Sequence, residues 1–176
     1  MKDQSLKYPI GQYERPGLIR SIEIKNWIKT ISLFPEMLKE QLITMNDELL
    51  DTPYRPNGWT VRQVVHHCAD SHMNAYIRFK LALTEEKPII KPYDEGLWSE
   101  LRDSKFLPVE PSITLLTALH YRWCFVLKSI DEDTLKRKYV HPESGTEVSL
   151  SEAIGVYAWH CNHHLAHIKL VKNKSV

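Results

Sequence analysis

The sequence has little that would commit it to a specialised class. Its 176 residues hold only three cysteines, Cys68, Cys124 and Cys161, widely spaced and without a Cys-x-x-Cys pair. A zinc ribbon and a thioredoxin-type motif are thereby excluded. Six glycines and ten prolines are too few for a disordered or fibrous chain. No apolar run approaches the roughly 20 residues of a membrane span. The opening Met1-Lys2-Asp3-Gln4-Ser5-Leu6-Lys7 lacks the apolar stretch of a secretory signal. An excess of one charge sign is missing too: 23 Lys plus Arg against 22 Asp plus Glu give a formal net charge of +1. That balance argues against nucleic acid as the main partner, because phosphate binding needs a concentrated basic surface. Together these absences predict a soluble, reduced, cytoplasmic protein. Its length suits a single domain over 1–176, one that buries roughly 70% of its unfolded surface and needs no disulfide to hold a core.

What the chain does have is periodic apolar sequence broken by proline. Residues 1–20 read as irregular, with Pro9, Gly11, Pro16 and Gly17 spoiling any repeat. Ser21 can cap a first helix, whose stripe is Trp27, Ile28, Ile31, Leu38, Leu42 and Met45, divided or kinked at Pro35. A polar connection from Asp47 to Gly58 follows. Thr60 can cap a second helix running to about Thr84. The segment 85–111, with four prolines, reads as a long crossover containing a short helix near Glu95–Asp103. Pro111 suits the first turn of a third helix. Residues 137–149 suggest a hairpin turning near Glu143–Gly145. Ser149-Leu150-Ser151-Glu152 supplies capping residues for a last helix ending near Lys172. Four long helices with a crossover predict an all-α four-helix bundle, an architecture that often holds metal on facing helices.

Nine histidines stand out in this composition, and four of them fall in Trp159-His160-Cys161-Asn162-His163-His164-Leu165-Ala166-His167. His160 and His164 are one turn apart and stack on one helix face. At about 100° per residue, they lie in the middle of the apolar face set by Ala153, Val156, Tyr157 and Val171. His167 is close to that face and His163 is at its edge. Neutral imidazole is a common ligand for zinc, nickel and iron. A helix pair supplies two ligands, whereas a catalytic zinc site has three and an open position. The candidates for the third are His66, His67, His72 and His120. Periodicity favours His72, centred on the face of Val61, Val64, Val65, Cys68, Ala75, Tyr76 and Phe79, and it places His67 well off that centre.

At these residues the chain resembles a known family. Gly58-Trp59-Thr60-Val61-Arg62-Gln63-Val64-Val65-His66-His67-Cys68-Ala69-Asp70-Ser71-His72-Met73-Asn74 and Trp159-His160-x-x-His163-His164-x-x-His167-Ile168 resemble the two ligand motifs of the YfiT-like metal-dependent hydrolases, a branch of the DinB-like superfamily. Tyr8-Pro9-Ile10-Gly11-Gln12-Tyr13, Leu50-Asp51-Thr52-Pro53-Tyr54-Arg55 and Tyr76-Ile77-Arg78-Phe79-Lys80-Leu81 look similar as well. The resemblance implies an up-down-down-up bundle and one divalent ion, zinc or nickel, held by His67, His160 and His164. It also implies a cytoplasmic homodimer with a small-molecule substrate and no membrane. The first ligand overrides the periodicity, which would leave His72 in the core.

Two chemistries suit such a site. A bound ion can activate water for hydrolysis, or bind a low-molecular-weight thiol as the nucleophilic thiolate for S-transfer, as in bacillithiol-using relatives. A metal-stabilised bundle that binds a partner without catalysis is the third reading. Asp70, Asn74, Arg78, Glu152 and Tyr157 are candidates to orient ligands or substrate. Arg78 shares the His67 face and could hold a carboxylate or phosphate. Cys68 and Cys161 point about 100° away from their histidine neighbours and read as buried small residues. Trp59, Trp123 and Trp159 read as core. Lys169, Lys172 and Lys174 suit a helix C-terminus.

Overall fold

Local capping chemistry sets where the long helices begin. In the computed structural model, which describes residues 2–173, Thr60 Oγ1 accepts from Gln63 N at 3.2 Å and Gln63 Oε1 accepts from Thr60 N at 2.9 Å. This reciprocal cap starts α4, Val61–Thr84. Ser149 and Glu152 make the same pair of bonds, at 3.3 and 2.9 Å, ahead of α8, Leu150–Lys172. The first long helix, α2, Ser21–Leu42, is capped by Arg20 rather than Ser21: Glu23 accepts from the Arg20 backbone N–H at 2.9 Å. Pro35 lies inside α2 and does not divide it. The third long helix, α7, Glu110–Lys128, carries Pro111 in its first turn, where a missing N–H costs nothing.

Side-chain contacts give the helix directions. Along α4 and α7, His66 meets Ser112, His72 meets His120 and Phe79 meets Trp123, so the two run parallel. Ile31 meets His120 while Ile28 meets Cys124, which makes α2 antiparallel to α7. Trp27 lies at Gly155 and Gln41 at Lys172, so α2 and α8 run parallel. The result is the expected up-down-down-up bundle. A Cβ on Gly155 would stand 3.0 Å from the Trp27 ring, so glycine lets α2 and α8 approach closely.

Parallel neighbours need a long crossover, and here it does structural work. It contains two short helices, α5, Glu95–Ser99, and α6, Arg102–Phe106, where one was expected. Gln63 Nε2 donates to Ser99 O at 2.9 Å, and His66 bridges Leu107 O and Ser112 Oγ. Arg62, only 5% exposed, donates to Leu107 O and to Asp51 and Asp47. Those two carboxylates open and cap another short helix, α3, Asp47–Leu50, in what the sequence suggested was plain connection. The first half of α4 is therefore buried on every side, from Val61 to Ala69. The hairpin pairs β1, Lys138–His141, with β2, Thr146–Ser149, in the register Lys138↔Ser149. Gly145 turns it with φ of 64°, a left-handed value that glycine adopts without strain.

The N-terminal segment departs from expectation. Residues 1–20 are not wholly irregular: Lys2–Lys7 form α1, which packs on α8. Among the described residues no helix is long and apolar enough to cross a membrane. Lys172 Nζ reaches Gln41 O at 3.4 Å; Lys174 lies outside the described residues.

Candidate metal centre

Antiparallel packing of α4 on α8 brings His67 over His160 and His164. The Nε2 atom of His160 stands 3.2 Å from Nε2 of His67 and 3.2 Å from Nε2 of His164. One ligand atom from each of the three lies within 4.8 Å of the others. Nitrogens bound tetrahedrally to one ion at about 2.0–2.1 Å stand about 3.3 Å apart. The donor set thus has the type and spacing that a divalent ion needs.

Periodicity centred His72 on the apolar face of α4, and its ring is fully buried there, whereas the group that could hold an ion contains His67. A wheel tells a dry side from a wet one, and this half of α4 has no wet side. His67 is 9% exposed and faces α8 across a small cleft, with the Trp59 ring 4.7 Å from its own. His72, fully buried, lies one layer deeper. Its Nε2 is 3.0 Å from His160 Nδ1 and its Nδ1 is 2.7 Å from His120 Nε2. His120 Nδ1 in turn donates to Ile31 O at 2.6 Å. Burial drives all these rings toward the neutral form. His67 and His120 are pushed down to about 4, and His72, His160 and His164 lie well below the usual imidazole value. Neutral imidazole is the form that binds metal.

The pattern of the DinB superfamily matches residues 32–168. The chain belongs to this superfamily. The YfiT protein of Bacillus subtilis is 49% identical over 168 residues, covering 96% of this chain and 94% of its own. A relative from Oceanobacillus iheyensis is 55% identical over 169 residues, covering 96% and 97%. The names of both describe metal-dependent hydrolases without a stated substrate. The solved structure of Bacillus subtilis YfiT superposes with a TM-score of 0.94 at 48% identity, covering 97% of this chain and 98% of that one. It is described as "a probable metal-dependent hydrolase with an unusual four-helix bundle topology".

In this DinB-superfamily chain a cleft of about 410 Å³ opens over the three histidines. Arg78 lines it, as the sequence suggested, together with Tyr54, Trp59, Tyr93 and Glu143. Tyr93 comes from the crossover and Glu143 from the hairpin. Neither was legible as a site residue, because each reaches the cleft through a non-local connection. The other candidates do not line the cleft. Asn74 Nδ2 donates to Asp70 O on its own helix at 2.9 Å. Glu152 is engaged in the α8 cap and pairs with Arg15. Tyr157 is a buried ring between Trp123 and His72. Cys68 and Cys161 are buried free thiols whose pKa values burial raises, so neither is a ready nucleophile. Trp123 is core, whereas Trp159 stacks on His163 at the cleft wall with ring centres 4.4 Å apart. His167 Nε2 donates to Lys7 O at 3.1 Å, and its ring stacks on Tyr54. His163, His164 and His167 also lie within 4.8 Å of one another, a second cluster that shares His164 with the first. A larger groove of about 920 Å³ lies between α2 and the end of α7 and contains no histidine or cysteine.

Asp70 lies away from the cleft and provides an independent check on burial. Its carboxyl is pushed up to about 6 by burial, with repulsion from Asp103 adding to it. The fold therefore disfavours the carboxylate, and stability falls as pH rises from about 4 through about 6. Because Asp70 is only partly buried, the expected gain from Asp70→Asn is limited to about 1 kcal/mol at about pH 7.5. That corresponds to roughly 2–4 °C in Tm, with no gain at about pH 3.5. Equal melting temperatures at the higher pH would contradict this account.

Proposed function

We propose that the chain is a metal-dependent hydrolase acting on a small molecule in the cytoplasm, with one divalent ion, zinc or nickel, held by His67, His160 and His164. The observation that carries the reading is the convergence of three Nε2 atoms beneath an open cleft. An ion held there would supply Lewis acidity and an activated water near neutral pH. The protein's share is positioning. Arg78 can hold an anionic group of the substrate through its planar guanidinium. Trp59 and Tyr93 offer aromatic walls, and Glu95 and Glu143 bring carboxylates to the cleft. A cleft of about 410 Å³ suits a small molecule rather than a polymer. We also infer a homodimer. Tyr121 and Phe125, one turn apart on α7, are 79% and 74% exposed and offer apolar surface for a second copy to cover.

Elemental analysis of untagged protein, followed by a screen of ester, amide and phosphoester substrates, tests the reading. The expected result is one ion per chain and hydrolysis that stops on chelation and returns with zinc or nickel. Turnover only when a low-molecular-weight thiol is present would replace hydrolysis by S-transfer. The buried state of all three cysteines means that such a thiol would have to come from outside the chain. Metal-dependent stability with no turnover in either screen would leave a non-catalytic binding bundle.

A further inference from the structure

Two of the three candidate ligands, His160 and His164, are not left to choose their own protonation pattern. A neutral imidazole carries one N–H and one lone pair, and which nitrogen holds the proton is set by its neighbours. Two chains of histidines run from His160 and His164, one into the core and one to the end of α1, and each ends on a backbone carbonyl that can only accept. The first is Ile31 O, His120, His72, His160. Ile31 O accepts from His120 Nδ1 at 2.6 Å, so His120 Nε2 is a lone pair. His72 Nδ1, 2.7 Å away, must donate to it, which leaves His72 Nε2 bare. His160 Nδ1, 3.0 Å away, donates in turn. His160 Nε2 is then without a proton and faces His67 and His164. The second chain is shorter. Lys7 O accepts from His167 Nε2 at 3.1 Å. His167 Nδ1 is left bare, 3.4 Å from His164 Nδ1, and His164 Nε2 becomes its unprotonated end.

Reversing either chain fails at its anchor. If His160 Nε2 carried the proton, His72 and His120 would flip in succession. The His120 Nδ1 lone pair would then stand 2.6 Å from the lone pairs of Ile31 O. A cationic His120 would relieve that clash, but the ring is 1% exposed and stacks on Phe34. Both anchors are carbonyls that the helices themselves do not use. Ile31 is four residues before Pro35, which has no N–H to give it. Lys7 is the last residue of α1, where carbonyls lack helical partners.

We infer that His72, His120 and His167 are positioning residues that fix His160 and His164 as Nδ1–H tautomers, so that both present Nε2 lone pairs to a metal. This rests on the metal-site reading above and deepens it. Outer partners of this kind commonly change metal affinity by about 10–100-fold. The 3.4 Å contact makes the His167 chain the weaker of the two.

Nitrogen-15 NMR of the metal-free protein tests the assignment directly, and zinc titration provides the second readout. The wild-type spectrum is expected to show Nδ1–H tautomers at His160 and His164. In His120→Leu, His160 is expected to lose that single tautomer while His164 keeps it, and zinc affinity is expected to drop about 10–100-fold. His120→Gln retains an N–H for Ile31 O and an oxygen for His72, and is expected to restore affinity to within a few-fold. A wild-type His160 protonated at Nε2 would overturn the inference, whatever the variants do. So would a His120→Leu variant with unchanged tautomers and unchanged affinity. Wild-type tautomers as stated, with no zinc bound, would leave the relay standing and defeat the metal reading instead.

Discussion

Replacing His160 by alanine is expected to abolish metal binding, with affinity for zinc or nickel falling by at least about a thousandfold, roughly 4 kcal/mol. His160 is the hub of the cluster: its Nε2 is 3.2 Å from both other candidate ligand atoms. Without it, His67 and His164 remain as a two-ligand remnant on different helices, and in the adjacent group of His163, His164 and His167 one ring is already engaged, His167 Nε2 with Lys7 O. Ions that bind the folded chain also stabilise it, so wild-type Tm is expected to climb with added zinc while that of the variant stays flat. His66→Ala is the control. His66 is buried like the others but is bonded to Ser112 and Leu107 O, away from the cluster. Its loss is expected to lower Tm through those two bonds and leave metal content unchanged. A His160→Ala protein with wild-type metal content, by elemental analysis, would remove the proposed site.

Much of this architecture was legible because the signals are local. The Thr60–Gln63 and Ser149–Glu152 caps lie three residues apart, and both appear as bonds in the fold. The His160–His164 pair is likewise one helical turn, readable without any neighbour. What periodicity could not supply was everything set by contact between distant segments. His67 faces α8 rather than water because the crossover closes the other sides of α4. Family resemblance supplied that residue; the wheel did not. The short helices α1 and α3 were missed because helices of one or two turns depend on tertiary support, although Asn46 does accept from Leu49 N at 3.0 Å as a cap would. Pro35 shows how far a correct local reading can fall short. Proline was expected to break or kink its helix, which it does not divide. Its effect is felt four residues earlier, in an Ile31 carbonyl left free for His120.

Acid is expected to unfold the metal-free protein steeply between about pH 6 and pH 4, because burial holds the clustered histidines neutral. His67, His120, His163 and His167 are each pushed down to about 4, chiefly by burial, and His72, His160 and His164 further. A depressed imidazole binds its proton more readily in the unfolded chain, so stability is full above the ordinary value of about 6.5 and is lost as pH falls. The most enclosed of them, His67 and His120, are each worth about 3 kcal/mol once pH is well below the folded value, and the more open His163 and His167 less. Total stability for a domain is about 5–15 kcal/mol, so protonation of two or three of these rings is enough to unfold it. Asp70 works in the opposite direction over the same range, but at about 1 kcal/mol it cannot compensate. Metal competes with protons for the same lone pairs, so zinc is expected to move the transition to lower pH. Circular dichroism against pH, with and without zinc, reads both effects. A metal-free protein that stays folded with flat stability to about pH 3 would mean that the rings are not held neutral by burial.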